Sequence, residues 1–299
     1  MDEASRLGLK QFMSAPRLFD RALAARRLDR ALVQGPADFL LARATEDLAD
    51  RLSLIKRDFA DALDLATPGP QAAMALNAAR VTRVAPSGAS LGEGGFLGLV
   101  ADPERAPLGE AVFDLAVSLL ALHQIDDLPG LLIQLRRALR PDGLLIAAIP
   151  GGATLQELRA CLFAAEAEIC GGASPRVAPF ADARALGGLL QRAGFALPVA
   201  DSDRFTIRYA DMFALMRDLR AFGQTSALID RPRRFTRRAL FLRAAQLYAE
   251  RYADADGRIR ATFEIVWLSG WVPHPSQQKP LAPGSARMRL EDAVKLKPQ

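Results

Sequence analysis

The sequence predicts an α/β fold: a mostly parallel sheet with helices on both faces. Three observations carry this. Apolar runs of strand length recur at residues 60–65, 111–118 and 144–149. Stretches with apolar residues at helical spacing separate them, and strands alternating with helices imply parallel pairing. The first run closes on Asp64-Leu65, as the opening strand of a cofactor-binding sheet does.

In chain order, residues 15–55 read as helical. Residues 19–33 are rich in Ala, Leu and Arg, Gly35-Pro36 breaks the pattern, and 37–55 resume it. Strand 60–65 is followed by a short helix through Met74 and Ala79. Residues 81–85 and 96–100 are short strands separated by the turn-rich stretch 86–95. Residues 111–118 form a buried strand, 128–139 a helix, Arg140-Pro141-Asp142-Gly143 a turn, and 144–149 the next buried strand. Helices follow at 155–169 and 183–193, the second stopped by Gly194. Strands at 205–209 and 262–267 flank amphipathic helices at 211–222 and 236–252. That arrangement predicts an antiparallel hairpin on the sheet edge, carrying a helical insertion over about 210–255. The chain thus divides into an N-terminal helical cap (1–58), the α/β domain (59–271) and an extended tail (272–299) rich in Pro, Gln and Ser.

Composition narrows the function classes. The 299 residues are half hydrophobic and 24% charged, which is ordinary for a soluble globular protein. Lys plus Arg number 39 against 34 Asp plus Glu, a net charge of +5. This suits an acidic partner surface without requiring nucleic acid. Cys161 and Cys170 match no disulfide framework, and with only two histidines no metal site is expected. Apolar runs are too short to span a bilayer, and the first residues lack a signal core, so the expected location is cytoplasmic.

The turn after the first strand is the most informative stretch. A glycine-rich loop belongs there, because only glycine lets the backbone approach a cofactor closely. Instead the chain reads Ala66-Thr67-Pro68-Gly69-Pro70, and each proline removes an N–H donor. The glycines between Ser87 and Gly95 lack the Lys-Ser/Thr ending of a phosphate loop and read as a turn.

The ordered set Ala101-Asp102, Pro107-Leu108, Phe113-Asp114-Leu115-Ala116-Val117-Ser118, Leu122-His123 and Arg140-Pro141-Asp142-Gly143-Leu144-Leu145 resembles the Rossmann-like S-adenosylmethionine-dependent methyltransferases. A narrower match runs from about Phe19 onward. It includes Phe19-Asp20-Arg21, Asp126-Asp127-Leu128-Pro129, Gly151-Gly152 with Thr154-Leu155-Gln156-Glu157-Leu158-Arg159, Ser174-Pro175, Pro179-Phe180 and Met212-Phe213. This resembles the respiratory complex I assembly factor 5 family and its bacterial relatives, and more distantly the malonyl-carrier-protein methyltransferases of the biotin pathway. The resemblance implies S-adenosylmethionine as cofactor and a protein side chain as substrate, with methylation or arginine hydroxylation as the chemistry. It places Asp64 and Asp102 at the cofactor. Ser118 ends a buried strand on the carboxyl side, where ligands sit or where a strand simply closes. His123 is the best candidate for chemistry, since an imidazole acts as acid or base near neutral pH, with a structural group as the alternative. Glu157 and Arg159 fall near the expected substrate mouth or on a solvated helix face. Against the resemblance, only the Asp-Leu half of the family's DLGCGxG survives, and Arg83-Val84-Ala85-Pro86 stands where an acidic residue holds the ribose. Two lost contacts of about 1–3 kcal/mol each weaken cofactor binding by roughly a hundredfold or more. The alternative is a non-catalytic assembly or interaction protein on the same fold. The arginines at 231, 233, 234, 237, 238 and 243 form the densest basic cluster, suited to an acidic protein partner more than to nucleic acid.

Overall fold

The computed structural model describes residues 17–278; most of the expected tail lies outside them. Helices α1 (Arg21–Gln34) and α2 (Phe39–Ser53) precede β1 (Phe59–Leu65), with Gly35 at φ 98° making the break between them. Then come α3 (Gln71–Ala75), β2 (Ala78–Ala85), α4 (Gly88–Leu91), β3 (Leu97–Val100), β4 (Phe113–Leu119), α5 (Leu128–Ala138) and β5 (Leu139–Pro150). The second half adds α6 (Gln156–Cys170), α7 (Ala183–Arg192), β6 (Ala196–Tyr209), α8 (Met212–Ala221), α9 (Arg238–Tyr252) and β7 (Ile259–Trp271). Single 3-10 turns lie at Pro103–Arg105 and Leu122–Gln124.

The seven strands order as β3-β2-β1-β4-β5-β7-β6. β1 to β5 are mutually parallel, β7 runs antiparallel to β5, and β6 pairs antiparallel with β7. The central strands are buried on both faces, as their unbroken apolar runs demand: β4 is buried at six of its seven residues. One face packs Leu63, Leu65, Leu131, Leu135 and Leu190 together, and the other packs Leu41, Leu48, Leu115, Ile146 and Trp267. A third cluster joins α6, α8 and α9 to β7 through Leu158, Leu162, Leu215, Leu247 and Phe263. This anchors the insertion to the sheet.

Four expectations need correction. Residues 140–143, expected as a turn before the strand, lie within β5, where the register against β4 shifts between Phe113 and Leu115. β6 begins at Ala196, nine residues before the sequence pattern suggests. Asp201, Ser202 and Asp203 hide it, because β6 is an edge strand whose outer positions tolerate charge. Asp201 and Asp203 pair with Arg51 and Arg43 of α2. β7 extends to Ile259–Trp271, because its buried pairing with β5 continues past Trp267. The stretch after β2 contains a real helical turn, α4, capped reciprocally by Ser87 and Ser90.

Candidate functional site

Strand order reverses between β1 and β4, so the carboxyl ends of these strands form the crevice where such sheets bind ligands. Two openings lie there. A crevice of about 70 Å³ sits over Ala66, Pro68, Pro86, Pro103 and Leu120, the residues just beyond β1 to β4, and α1 covers it with Ala24, Ala25 and Leu28. Beside it, a cavity of about 310 Å³ opens between α1, α2, α6 and α8, walled by Leu28, Leu120, Leu158, Phe180, Phe222 and Phe263. Its polar lining includes Gln71, His123, Gln124 and Gln224.

The turn after β1 is held from within. Asp64 and Arg83 are both fully buried and paired through Arg83 Nη1 and Asp64 Oδ2. Arg83 also donates to the carbonyls of Thr67 (2.7 Å), Ser90 (2.7 Å) and Leu91 (2.8 Å). The second Asp64 oxygen accepts from the Thr67 hydroxyl, which itself accepts from Leu119 N at 3.0 Å. Burial pushes the Asp64 carboxyl above its ordinary value, with Arg83 and Thr67 pulling against it. Ala66 sits at φ 60°, in the left-handed region that its missing glycine would enter freely. Gly69, which stands at the variable position of the DLGCGxG pattern, takes φ 94°, a backbone conformation that side-chain-bearing residues rarely adopt.

His123 follows β4 in the short turn that lines the cavity. Its Nε2 lies 3.1 Å from Gln224 Oε1, an oxygen that also accepts from Gln124 Nε2 at 2.7 Å. A carbonyl acceptor requires the imidazole proton on Nε2, leaving Nδ1 bare, and Nδ1 is buried without a partner among the described residues. Burial lowers the His123 pKa to about 4, with the Gln224 bond opposing, so the ring is neutral at physiological pH. Phe180 flanks it at 5.9 Å between ring centroids.

The other predicted site residues occupy different surroundings. Asp102 caps its own turn by accepting from Glu104 N (3.1 Å) and pairs with Arg21 at 2.8 Å. Arg21 also engages Glu104 and Asp126, tying the start of α1 across the crevice. Ser118 is fully buried in β4, its hydroxyl without a partner among the described residues. Glu157 turns toward β7, where Thr262 donates to it through backbone (3.1 Å) and hydroxyl. Arg159 donates to Ala178 O at 3.2 Å and lies 5.9 Å from the Phe180 ring, behind the cavity wall. Thus His123 reaches the cavity, Asp64 underlies the turn, and Glu157 and Arg159 brace α6. Gln71, Gln124 and Gln224 escaped sequence reasoning. Gln224 sits 101 residues from His123 and carries no local signal. In the basic cluster, Arg231 pairs with Asp20 and Arg243 with Glu168, while Arg233, Arg234, Arg237 and Arg238 are exposed around a fully exposed Phe235.

Residues 63–147, spanning β1 to most of β5, match a methyltransferase domain model. The mitochondrial arginine-hydroxylase NDUFAF5 of Danio rerio is 37% identical over 290 residues, covering 93% of this chain and 90% of that protein. The chain belongs to the NDUFAF5 family. The human member is likewise 37% identical, over 93% of this chain and 84% of its own length. A malonyl-[acyl-carrier protein] O-methyltransferase from Methylovorus is 32% identical over 93% of this chain and 98% of its own length. The fold is that of the Bacillus subtilis YcgJ protein (TM-score 0.54, 11% identity, covering 78% of this chain and 99% of that one).

A methyltransferase fold indicates S-adenosylmethionine for the family, and the residues of this chain fit that cofactor poorly. The crevice directly over the turn holds about 70 Å³, and the cavity of about 310 Å³ that shares Leu28, Pro68, Leu120, Gln124 and Gln224 with it is lined mostly by apolar groups. Buried Ala85, at the end of β2, offers no acceptor to a ribose. Asp64 has both oxygens engaged by protein groups.

Proposed function

We propose that this chain acts in respiratory complex I assembly by taking an arginine side chain of a protein partner into the cavity beside His123. The carrying observation is a pair of buried acceptors on a mostly apolar wall that find no partner among the described residues: His123 Nδ1 and Gln71 Oε1. A guanidinium supplies several N–H donors on a long aliphatic stem, which suits acceptors set in an apolar wall, with its methylenes packing on side chains such as Leu158, Phe180 and Phe263. A neutral imidazole accepts such a donor without charge repulsion. The names of the relatives support the same reading, since NDUFAF5 proteins are called arginine hydroxylases. The exposed arginines around Phe235 give an acidic partner a second place to land.

A non-catalytic reading, in which the bound side chain is held rather than modified, is favoured by one observation: the fully buried Asp64–Arg83 pair beneath the cofactor turn.

The test is deletion of the gene in its host, with complex I subunits mapped by mass spectrometry and complex I assembly followed on native gels. Impaired assembly, restored by wild type and not by His123→Ala, is expected. Normal assembly and unaltered arginine masses in the deletion strain refute the proposal. Impaired assembly with no arginine mass change selects the non-catalytic reading.

A further inference from the structure

The Arg83 guanidinium satisfies groups from three segments at once: Asp64 at the end of β1, Thr67 in the turn, and Ser90 and Leu91 in and at the end of α4. Four of its N–H···O contacts go to protein oxygens that are themselves buried or part-buried. In a turn shaped by glycine, the backbone stays open to a ligand that supplies the missing contacts. Here a side chain supplies them. The two prolines add rigidity: Pro70 packs so closely under Gly92 that a Cβ there would lie 3.0 Å from Pro70 Cγ. Above the turn, Arg21 bridges Asp102, Glu104 and Asp126, so α1 lies over the crevice rather than beside it. Ser87, next to α4, further binds Asp29 of α1.

We infer that Arg83 is a built-in clamp that takes over the ordering role of a cofactor, so that this chain holds its turn closed and does its work without S-adenosylmethionine. Arg83 lies two residues before the strand end where a ribose-binding carboxylate would stand, and its head group reaches back to the acid that remains, Asp64. A clamped turn is independent of which partner group enters the larger cavity.

Calorimetry and thermal melts of the full chain with S-adenosylmethionine and with S-adenosylhomocysteine test it directly. No heat of binding and no rise in Tm at millimolar ligand are expected; saturable binding of either ligand to the wild type at micromolar concentration overturns the clamp. Arg83→Met, which strands a buried carboxylate, is expected to lower Tm by roughly 10 °C. The double variant Asp64→Leu/Arg83→Met, which removes both charges, is expected to recover most of that loss. Ethylguanidine at millimolar concentration should raise the Tm of Arg83→Ala and leave wild type unchanged. If Arg83→Met and Arg83→Ala yield no folded protein, Arg83→Lys and the double variant carry the comparison. An Arg83 variant as stable as wild type refutes the ordering role.

Discussion

His123 offers the sharpest test, because its neutral state is written into the stability of the fold. The perturbation is His123→Gln, which keeps a polar side chain at the cavity and removes the titration. In the folded chain burial holds the ring at a pKa of about 4, against an ordinary 6.5. A folded value below the unfolded one means that protons bind the unfolded chain first. The contribution of His123 is therefore complete above pH 6.5 and disappears as pH falls toward 4. The full shift corresponds to a ceiling of about 3 kcal/mol, and at pH 5 about 2 kcal/mol has gone. The ring is not wholly enclosed, so the measured slope should fall somewhat below this. Asp61 and Glu166, both held near pKa 2 by arginine partners, lose their contributions at lower pH. Asp64, pushed upward, works in the opposite direction. Taking the difference between wild type and His123→Gln cancels all three. Urea denaturation from pH 4.5 to 8 should show the wild type losing stability more steeply below pH 6.5 than the variant. Parallel curves over that window refute the buried, neutral imidazole and the donor-accepting Nδ1 that rests on it.

Two further predictions concern charge. Arg176 is bound to Glu166 through two nitrogens at 2.7 and 3.0 Å and donates to Thr236 at 3.0 Å. Arg176→Ala should cost about 2 kcal/mol in chemical denaturation at pH 7, with the loss shrinking toward pH 2 as Glu166 protonates. A change below about 0.5 kcal/mol refutes the bridge. Reversing Arg233, Arg234, Arg237 and Arg238 to glutamate should leave Tm within a few degrees, since exposed substitutions cost little. The same variant should lose salt-sensitive capture of an acidic partner, and unchanged capture at low and moderate salt reduces the cluster to a solvated surface.

Much of the fold is legible in the sequence because its signals are local. Continuous apolar runs mark β1, β4 and the inner part of β5, since parallel strands buried on both faces need no alternation. Gly35-Pro36 marks the break between α1 and α2 for the same local reason. The outer strands are less legible. β6 carries Asp201 and Asp203 on a sheet edge, and only its pairing with β7 and the arginines of α2 explains their place.

The site divides in the same way. The sequence by itself determined the family, the mostly parallel sheet and the loss of the glycine turn, the last because a proline or a missing glycine acts on its own residue's backbone. Only the tertiary structure decided what replaces that turn. Arg83 looks like an unremarkable strand residue until β1, the turn and α4 converge on its guanidinium, 7 to 19 residues away in sequence. Gln224 fixes the tautomer of His123 across 101 residues, and Glu157, which sequence position puts at the mouth, folds inward onto Thr262. Hydrogen bonds between distant segments depend on how helices dock on the sheet, and no spacing in the chain encodes that docking.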